Sequence, residues 1–195
     1  MGAFGLLYRN VWIYRRIMKH LYGPEYERKY GVVVDEIPPG SRVVDLCCGD
    51  CRIAPALAEK RCTYLGLDAN PAFVSWGARH GLDVRPWNGK NDDIPEGDVI
   101  CMQSSLYQFI PGDADMVRRM FAKALRKVVI TEPIQNMTTS ASTFMSRLSK
   151  WMTRANGETF HRRHTEESLR RLLEPWPAAI LKPMGREMLI VLNKP

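Results

Sequence analysis

Between residues 41 and 133, short β-branched apolar runs alternate with longer segments whose apolar residues recur at helical spacing. The runs are "SRVVDLCC", "CTYLGLD", "LDVRPWN", "DVICMQSS" and "KVVITEP". The first is apolar almost throughout, the pattern of a strand buried on both faces inside a parallel sheet. Between them, "CRIAPALAEK", "PAFVSWGARHG" and "DADMVRRMFAKAL" predict helices. Asp50 stands where it can cap the first of these helices, and Asn70 caps the second with Pro71 at its first position. Strands separated by helix-length segments predict βαβ units, hence an α/β fold with a doubly wound, mostly parallel sheet. "AAILKPMGREMLIVLNK" adds two strands joined at Gly185 and Arg186, an antiparallel C-terminal hairpin that brings the expected sheet to seven strands.

The flanks keep a different rhythm. Residues 4–22 predict a helix, with Phe4, Leu7, Val11, Met18 and Tyr22 on one arc and Arg9, Arg16, Lys19 and His20 on another. Gly23 ends it, and Pro24 opens a second helix through "PEYERKYGVVVDEI", so residues 1–40 form an N-terminal helical cap. Residues 134–164, rich in Ser, Thr, Met and Arg, interrupt the alternation and read as a cover over the sheet. Thr165 then caps "TEESLRRLLEP", whose two first-turn acids suit the positive end of a helix. The whole of 1–195 is expected to be one domain, since a chain of this length buries a sizeable core without disulfides.

Charge changes the picture only locally. The net charge of +7 is concentrated outside the central fold: residues 1–30 hold six Lys or Arg against two acids, and 145–175 hold seven against four. Such a surplus attracts anions, whether phosphate, carboxylate or a membrane surface, and also serves plain solubility. The first helix, with Trp12 on its cationic arc, suits a peripheral contact with an anionic membrane through residues 4–22, or a cap on an apolar substrate. Packing against the domain itself is the simpler reading. Nucleic acid is disfavoured, because the basic residues lack interleaved aromatic platforms and no RNA-binding module is recognisable. An odd number of cysteines, two of them adjacent, and an N-terminus without the order of a signal peptide point to a reduced cytoplasmic interior.

The chemistry centres on "VVDLCCGDC", which crowds Cys47, Cys48 and Cys51 around Gly49. A structural metal site needs four ligands at paired spacings, and no second pair is visible, so no metal is expected. A buried strand that ends in a tight turn and opens a helix is where α/β sheets bind nucleotides. Gly49 allows close approach of the backbone, and Asp68, at the end of "LGLD", is placed to hold two ribose hydroxyls. A dinucleotide site would want G-x-G-x-x-G, and only Gly49 is present, which argues against a nicotinamide enzyme.

"VVDLCCGDC" resembles motif I of the class I S-adenosylmethionine-dependent methyltransferases, whose usual form is V-hydrophobic-D/E-x-G-x-G-x-G. The resemblance continues through Asp68, "DVICMQSSLYQF", "HTEESLRRLLEP" and the final hairpin, covering residues 41–195. It implies that S-adenosylmethionine is the cofactor, that Asp45, Cys47 and Gly49 border its methionine part, and that Asp68 holds its ribose. It further implies that Asn88 and Gly89 lie near the adenine, and that Gln103 and Ser104 line the methyl-bearing end. Cys47 and Cys51 replace the first and third glycines of the motif. A cysteine is tolerated at 47 if the strand is only ending there, and not if the position needs positive φ; at 51 it opens a helix.

The implied function is methyl transfer to a small or lipid-like acceptor. A base would serve a hydroxyl or cationic amine acceptor, and His161, His164, Tyr107 and Glu132 are the candidates. The alternative is a non-catalytic binding module that keeps the fold without tight cofactor binding.

Overall fold

The computed structural model describes residues 11–23, 25–134 and 162–195. Its seven strands form a single sheet in the order β3-β2-β1-β4-β5-β7-β6. They are β1 (Arg42–Leu46), β2 (Thr63–Asp68), β3 (Val84–Pro86), β4 (Gly97–Gln103), β5 (Ala124–Pro133), β6 (Ile180–Met184) and β7 (Glu187–Asn193). The first five run parallel, and β7 lies antiparallel between β5 and β6. The helices are α1 (Val11–Tyr22), α2 (Glu25–Asp35), α3 (Ala54–Glu59), α4 (Pro71–Arg79), α5 (Asp113–Lys123) and α6 (Glu166–Leu172). This is the doubly wound sheet with an antiparallel hairpin that the alternation of apolar runs predicts.

The strands are apolar on both sides because both faces are covered. Side chains alternate across a strand, so Val44, Leu46, Ile100, Met102, Val128 and Ile130 pack on one face against Met116 and Met120 of α5 and Leu169 of α6. Their neighbours Val43, Val99, Cys101 and Val129 pack on the other against Val33 of α2, Ile37, Ile53 and Leu57 of α3. Burying one such side chain contributes roughly 1.5–3 kcal/mol, so these two layers dominate stability.

Local boundaries depart from expectation at three places. The helix after β1 begins at Ala54, not at residue 51, because Cys51 takes a left-handed φ of 54° and Pro55 sits in the first turn. Asp50 does not cap it; its carboxylate is taken by Arg15. The third strand shrinks to Val84–Pro86 at the sheet edge, where Pro86 has no N–H to extend the ladder. The other caps are as expected. Asn70 accepts the Ala72 N–H, and Thr165 forms a reciprocal box with Ser168. Gly185, at φ 60°, turns the hairpin.

The chain runs outward from β1 to β2 and β3, then returns to place β4 on the other side of β1. Beyond the carboxyl ends of β1 and β4 the strand order therefore reverses, which opens a crevice. Residues 1–10 of the helical cap, Pro24, most of the 134–164 cover and candidate base His161 lie outside the described residues.

Candidate active site

The turn after β1 forms one wall of the crevice. Cys47, Gly49 and Cys51 have φ of 55°, 52° and 54°. Left-handed residues at every second position turn the chain sharply, and the turn is held by its own N–H groups: Cys48 donates to the Leu67 carbonyl, Gly49 to Asp68 and Cys51 to the Cys48 carbonyl. A Cβ on Gly49 would meet nothing within 4 Å, so the space beside it is open. The two cysteines occupy the conformation that glycine fills at no cost, contrary to the expectation that position 47 merely ends a strand and position 51 opens a helix. A left-handed conformation costs a residue with a Cβ about 1–2 kcal/mol. Packing holds them there: Cys51 is buried with Cys48, Ala54 and Val84, and Cys47 lies against the large core cluster.

Asp68 ties this turn to the next. Its Oδ2 accepts the Gly49 N–H at 2.8 Å and its Oδ1 accepts the Asn70 N–H at 2.8 Å. Each oxygen keeps a further lone pair. Asp68 is thus both a loop organiser and an acceptor with spare capacity beside the turn. Burial pushes its pKa up, against the pull of those two N–H donors.

Asp45 lies deeper, with no exposure. Tyr64 Oη and Gln103 Nε2 donate to its two oxygens at 2.9 and 3.0 Å. Burial nevertheless pushes its pKa up to about 7. Its contact with Gln103 links the ends of β1 and β4, so Asp45 orients the wall. The Cys47, Cys48 and Cys101 thiols are pushed well up, by burial and the nearby carboxylates and, at Cys48, first by its contact with Cys51, and stay protonated. Among the described residues no group of His, Cys, Asp and Glu is arranged to hold a metal ion.

The opposite wall is built at the ends of β4, β5 and β7. Glu132 accepts the N–H groups of Leu106 and Tyr107 at 2.9 and 3.2 Å, which pins the short 3-10 helix Leu106–Phe109 over the sheet. Burial pushes Glu132 up to about 8, against the opposing charge of Arg163. Arg163 stacks over the Tyr107 ring at 3.6 Å. Ser104, left-handed at φ 51°, donates to Glu187 Oε1 at 3.0 Å. Lys29 Nζ lies 3.0 Å from Ser104 Oγ and 3.2 Å from Glu187 Oε1.

Of the residues expected from sequence, Asp45, Cys47, Gly49, Asp68, Gln103 and Ser104 gather around the strand ends. Glu132 and Tyr107 stand together at the second wall. His164 is buried beneath α6, 3.3 Å from Ser168 Oγ, and its Nε2 is 3.8 Å from Asp113, beyond hydrogen-bond reach. Burial lowers its pKa, opposed by Asp113. Asn88 is exposed in the loop after β3, and Gly89 is packed against Phe109 and Trp87. Sequence reasoning missed Tyr64, Lys29 and Glu187. The signal for the last was there: Glu187 is the one acid in residues 175–195, at the head of an apolar strand.

The helical cap touches both walls. Arg15 Nε donates to Asp50 Oδ2 at 2.6 Å and Nη2 to the Asp50 carbonyl at 3.0 Å, while its guanidinium lies 4.4 Å from the Trp76 ring centroid. Lys29, on α2, reaches the other side.

No family model matches the chain. One curated relative is an uncharacterized methyltransferase of Synechocystis, 25% identical over 118 residues; the match spans 56% of this chain and 56%, about half, of that protein. Solved structures match across nearly the whole chain. Magnesium protoporphyrin IX methyltransferase of Synechocystis, with bound SAH, superposes at a TM-score of 0.64 and 13% identity, covering 91% of this chain and 92% of that one. A Thermotoga maritima SAM-dependent methyltransferase, titled a possible histamine N-methyltransferase, gives 0.67 at 14% identity over 98% and 100%. The fold is that of the class I S-adenosylmethionine-dependent methyltransferases.

The donor set suits the cofactor that accompanies this methyltransferase fold. A left-handed turn with open space at Gly49 leaves room for a ligand beside the chain, and a carboxylate with spare lone pairs at the end of β2 suits a pair of ribose hydroxyls. Nothing in the turn fills the crevice at Gly49.

Proposed function

We propose that this protein transfers a methyl group from S-adenosylmethionine to a small-molecule acceptor. The observation that carries the reading is the Gly49 N–H bound to the Asp68 carboxylate at the switch point, with open space beside the glycine. Asp68 holds the ribose, the 47–51 turn and Asp45 border the methionine part, and Asn88 and Gly89 lie toward the adenine. Gln103 and Ser104 face the methyl-bearing end. When bound, S-adenosylmethionine supplies a methyl group already activated on a sulfonium. The chain adds alignment and exclusion of water, with Arg15 and Lys29 drawing the helical cap onto both walls.

Small acceptors fit the company the fold keeps: the solved neighbours include a porphyrin methyltransferase, a protein in complex with apigenin, and human N-acetylserotonin methyltransferase. Glu132 and Tyr107 are the bases nearest the second wall. His164 is held away by Ser168, and His161 keeps its place as a candidate. A lipid-like acceptor drawn from an anionic membrane by residues 4–22 belongs to the same reading, supported by Trp12, which is 65% exposed. Among the described residues no helix is long and apolar enough to cross a membrane.

S-adenosylhomocysteine tests the proposal directly, since a ligand of the native state raises its melting temperature. A shift with S-adenosylhomocysteine and none with NAD is expected. No shift at millimolar ligand overturns the enzyme reading in favour of a binding module that lost the cofactor.

A further inference from the structure

We propose that Lys29, Ser104 and Glu187 form the acceptor-binding end of the crevice, where Glu187 Oε2 receives the O–H or N–H of a neutral methyl acceptor. This rests on the cofactor reading above and names the substrate class that reading leaves open.

The three groups are joined by hydrogen bonds, and the one carboxylate is paired with the one ammonium. Glu187 Oε1 takes both the Lys29 ammonium at 3.2 Å and the Ser104 hydroxyl at 3.0 Å. Glu187 is 2% exposed and Lys29 6%. Glu187 Oε2, equally buried, has no hydrogen-bond partner among the described residues. A buried carboxylate oxygen without a donor is costly, and native folds seldom leave one without a reason. Ser104 is half-buried and follows β4 directly, so the Glu187 carboxylate lies one hydrogen bond behind the crevice wall.

The charge balance selects among ligands. The Ser104 hydroxyl already donates its hydrogen bond to Glu187, so the set presents acceptors and no spare hydroxyl donor. An ammonium would be drawn to Glu187 but would face Lys29, which has already neutralised it. Glu132, close enough for the charge of Glu187 to oppose its own ionisation, is pushed up to about 8 and adds little negative charge at neutral pH. A neutral donor such as a phenol, enol or amide satisfies Oε2 without adding charge to a buried site.

Ligand-observed NMR at pH 7 on the complex with S-adenosylhomocysteine, using phenol, anisole and benzylamine as probes, tests this. Phenol should bind about five- to tenfold more tightly than anisole or benzylamine, the worth of one hydrogen bond. Glu187→Gln turns one acceptor into a donor and should erase the preference over anisole. That variant strands a buried ammonium, so K29M/E187L, which removes both charges together, is the second arm and should also lose the preference. Equal binding of phenol and anisole to the wild type, tighter binding of benzylamine, or a preference that survives in either folded variant overturns the proposal; water alone then satisfies Oε2. Binding of S-adenosylhomocysteine to the wild type reports separately on the cofactor half, and its absence overturns that reading and this one with it.

Discussion

At the turn after β1, the groups that shape the crevice are close in sequence: Gly49 donates to Asp68, nineteen positions on, and Asp68 also accepts from Asn70, two positions on. At the ends of β4, β5 and β7, Lys29 meets Glu187 across 158 positions and Ser104 meets it across 83. The first wall is made of a left-handed backbone turn braced by Asp68 and, behind it, Asp45, so it needs particular dihedral angles more than a wide set of side chains. The second is made of side chains whose identities must match. A cofactor common to many enzymes suits the first kind of wall, and an acceptor peculiar to one enzyme suits the second.

Asp68→Ala attacks the first wall where it is least redundant and carries the largest expected effect. Two part-buried N–H groups lose their acceptor, at about 1 kcal/mol each, and the ribose loses its partner. The thermal shift with S-adenosylhomocysteine should vanish although the protein still melts cooperatively. A shift of wild-type size would refute the ribose assignment.

Glu132→Ala makes the matching attack on the second wall. It strands the Leu106 and Tyr107 N–H groups, so denaturant unfolding should show a loss of about 2–4 kcal/mol. Glu132→Gln keeps one acceptor and should lose less. Both should bind S-adenosylhomocysteine within a few-fold of the wild type if the walls are independent. Loss of cofactor binding in step with stability would show that they are not.

This contrast also decides what was legible in the sequence. The sheet was legible because the middles of β1, β4 and β5, at Val43 and Val44, Val99 to Met102 and Val128 to Ile130, are buried on both faces and wholly apolar, while Gly185 marks the hairpin. Asp68 and Gly49 were legible because a local turn forces them into a short motif. Lys29 and Glu187 were not, since nothing in either neighbourhood records a partner in a distant segment; only the isolation of Glu187 in an apolar strand hinted at it. His164 is the converse case. A histidine before a helix looked chemical, and the fold buries it against Asp113 and Ser168.

Proton linkage sharpens the comparison, because each wall holds a carboxyl that burial pushes up to the neutral range. Asp45 is raised from 3.8 to about 7 and Glu132 from 4.5 to about 8. A raised folded-state pKa gives stability that is complete below the unfolded value and is lost as pH rises through the folded one. Stability should therefore fall between about pH 4 and 7 on account of Asp45, and between about pH 4.5 and 8 on account of Glu132. His164, with its pKa lowered, acts in the opposite sense, and its stability is lost as pH falls below its ordinary range. Differences between each variant and the wild type isolate the carboxyls: the melting temperature of Asp45→Asn relative to wild type should climb from pH 4 to 7 and then level. A flat difference would show that Asp45 ionises freely.

The smallest expected effect probes whether the first wall is indifferent to side chains. Cys47→Gly removes the left-handed strain of a residue with a Cβ, about 1–2 kcal/mol, and adds unfolded-state entropy of roughly 0.5–1 kcal/mol. It also deletes a half-buried thiol that packs against the core. The sum should lie near zero or favour the variant by up to about 1 kcal/mol, and S-adenosylhomocysteine should bind equally well or a few-fold more tightly. Cys51→Gly relieves a similar strain at φ 54° but empties a site with 1% exposure, so it should destabilise. Chemical denaturation of the pair separates the two costs. If Cys47→Gly lost more than about 1 kcal/mol, packing would outweigh dihedral strain, and the turn would depend on its cysteines as the second wall depends on Lys29 and Glu187.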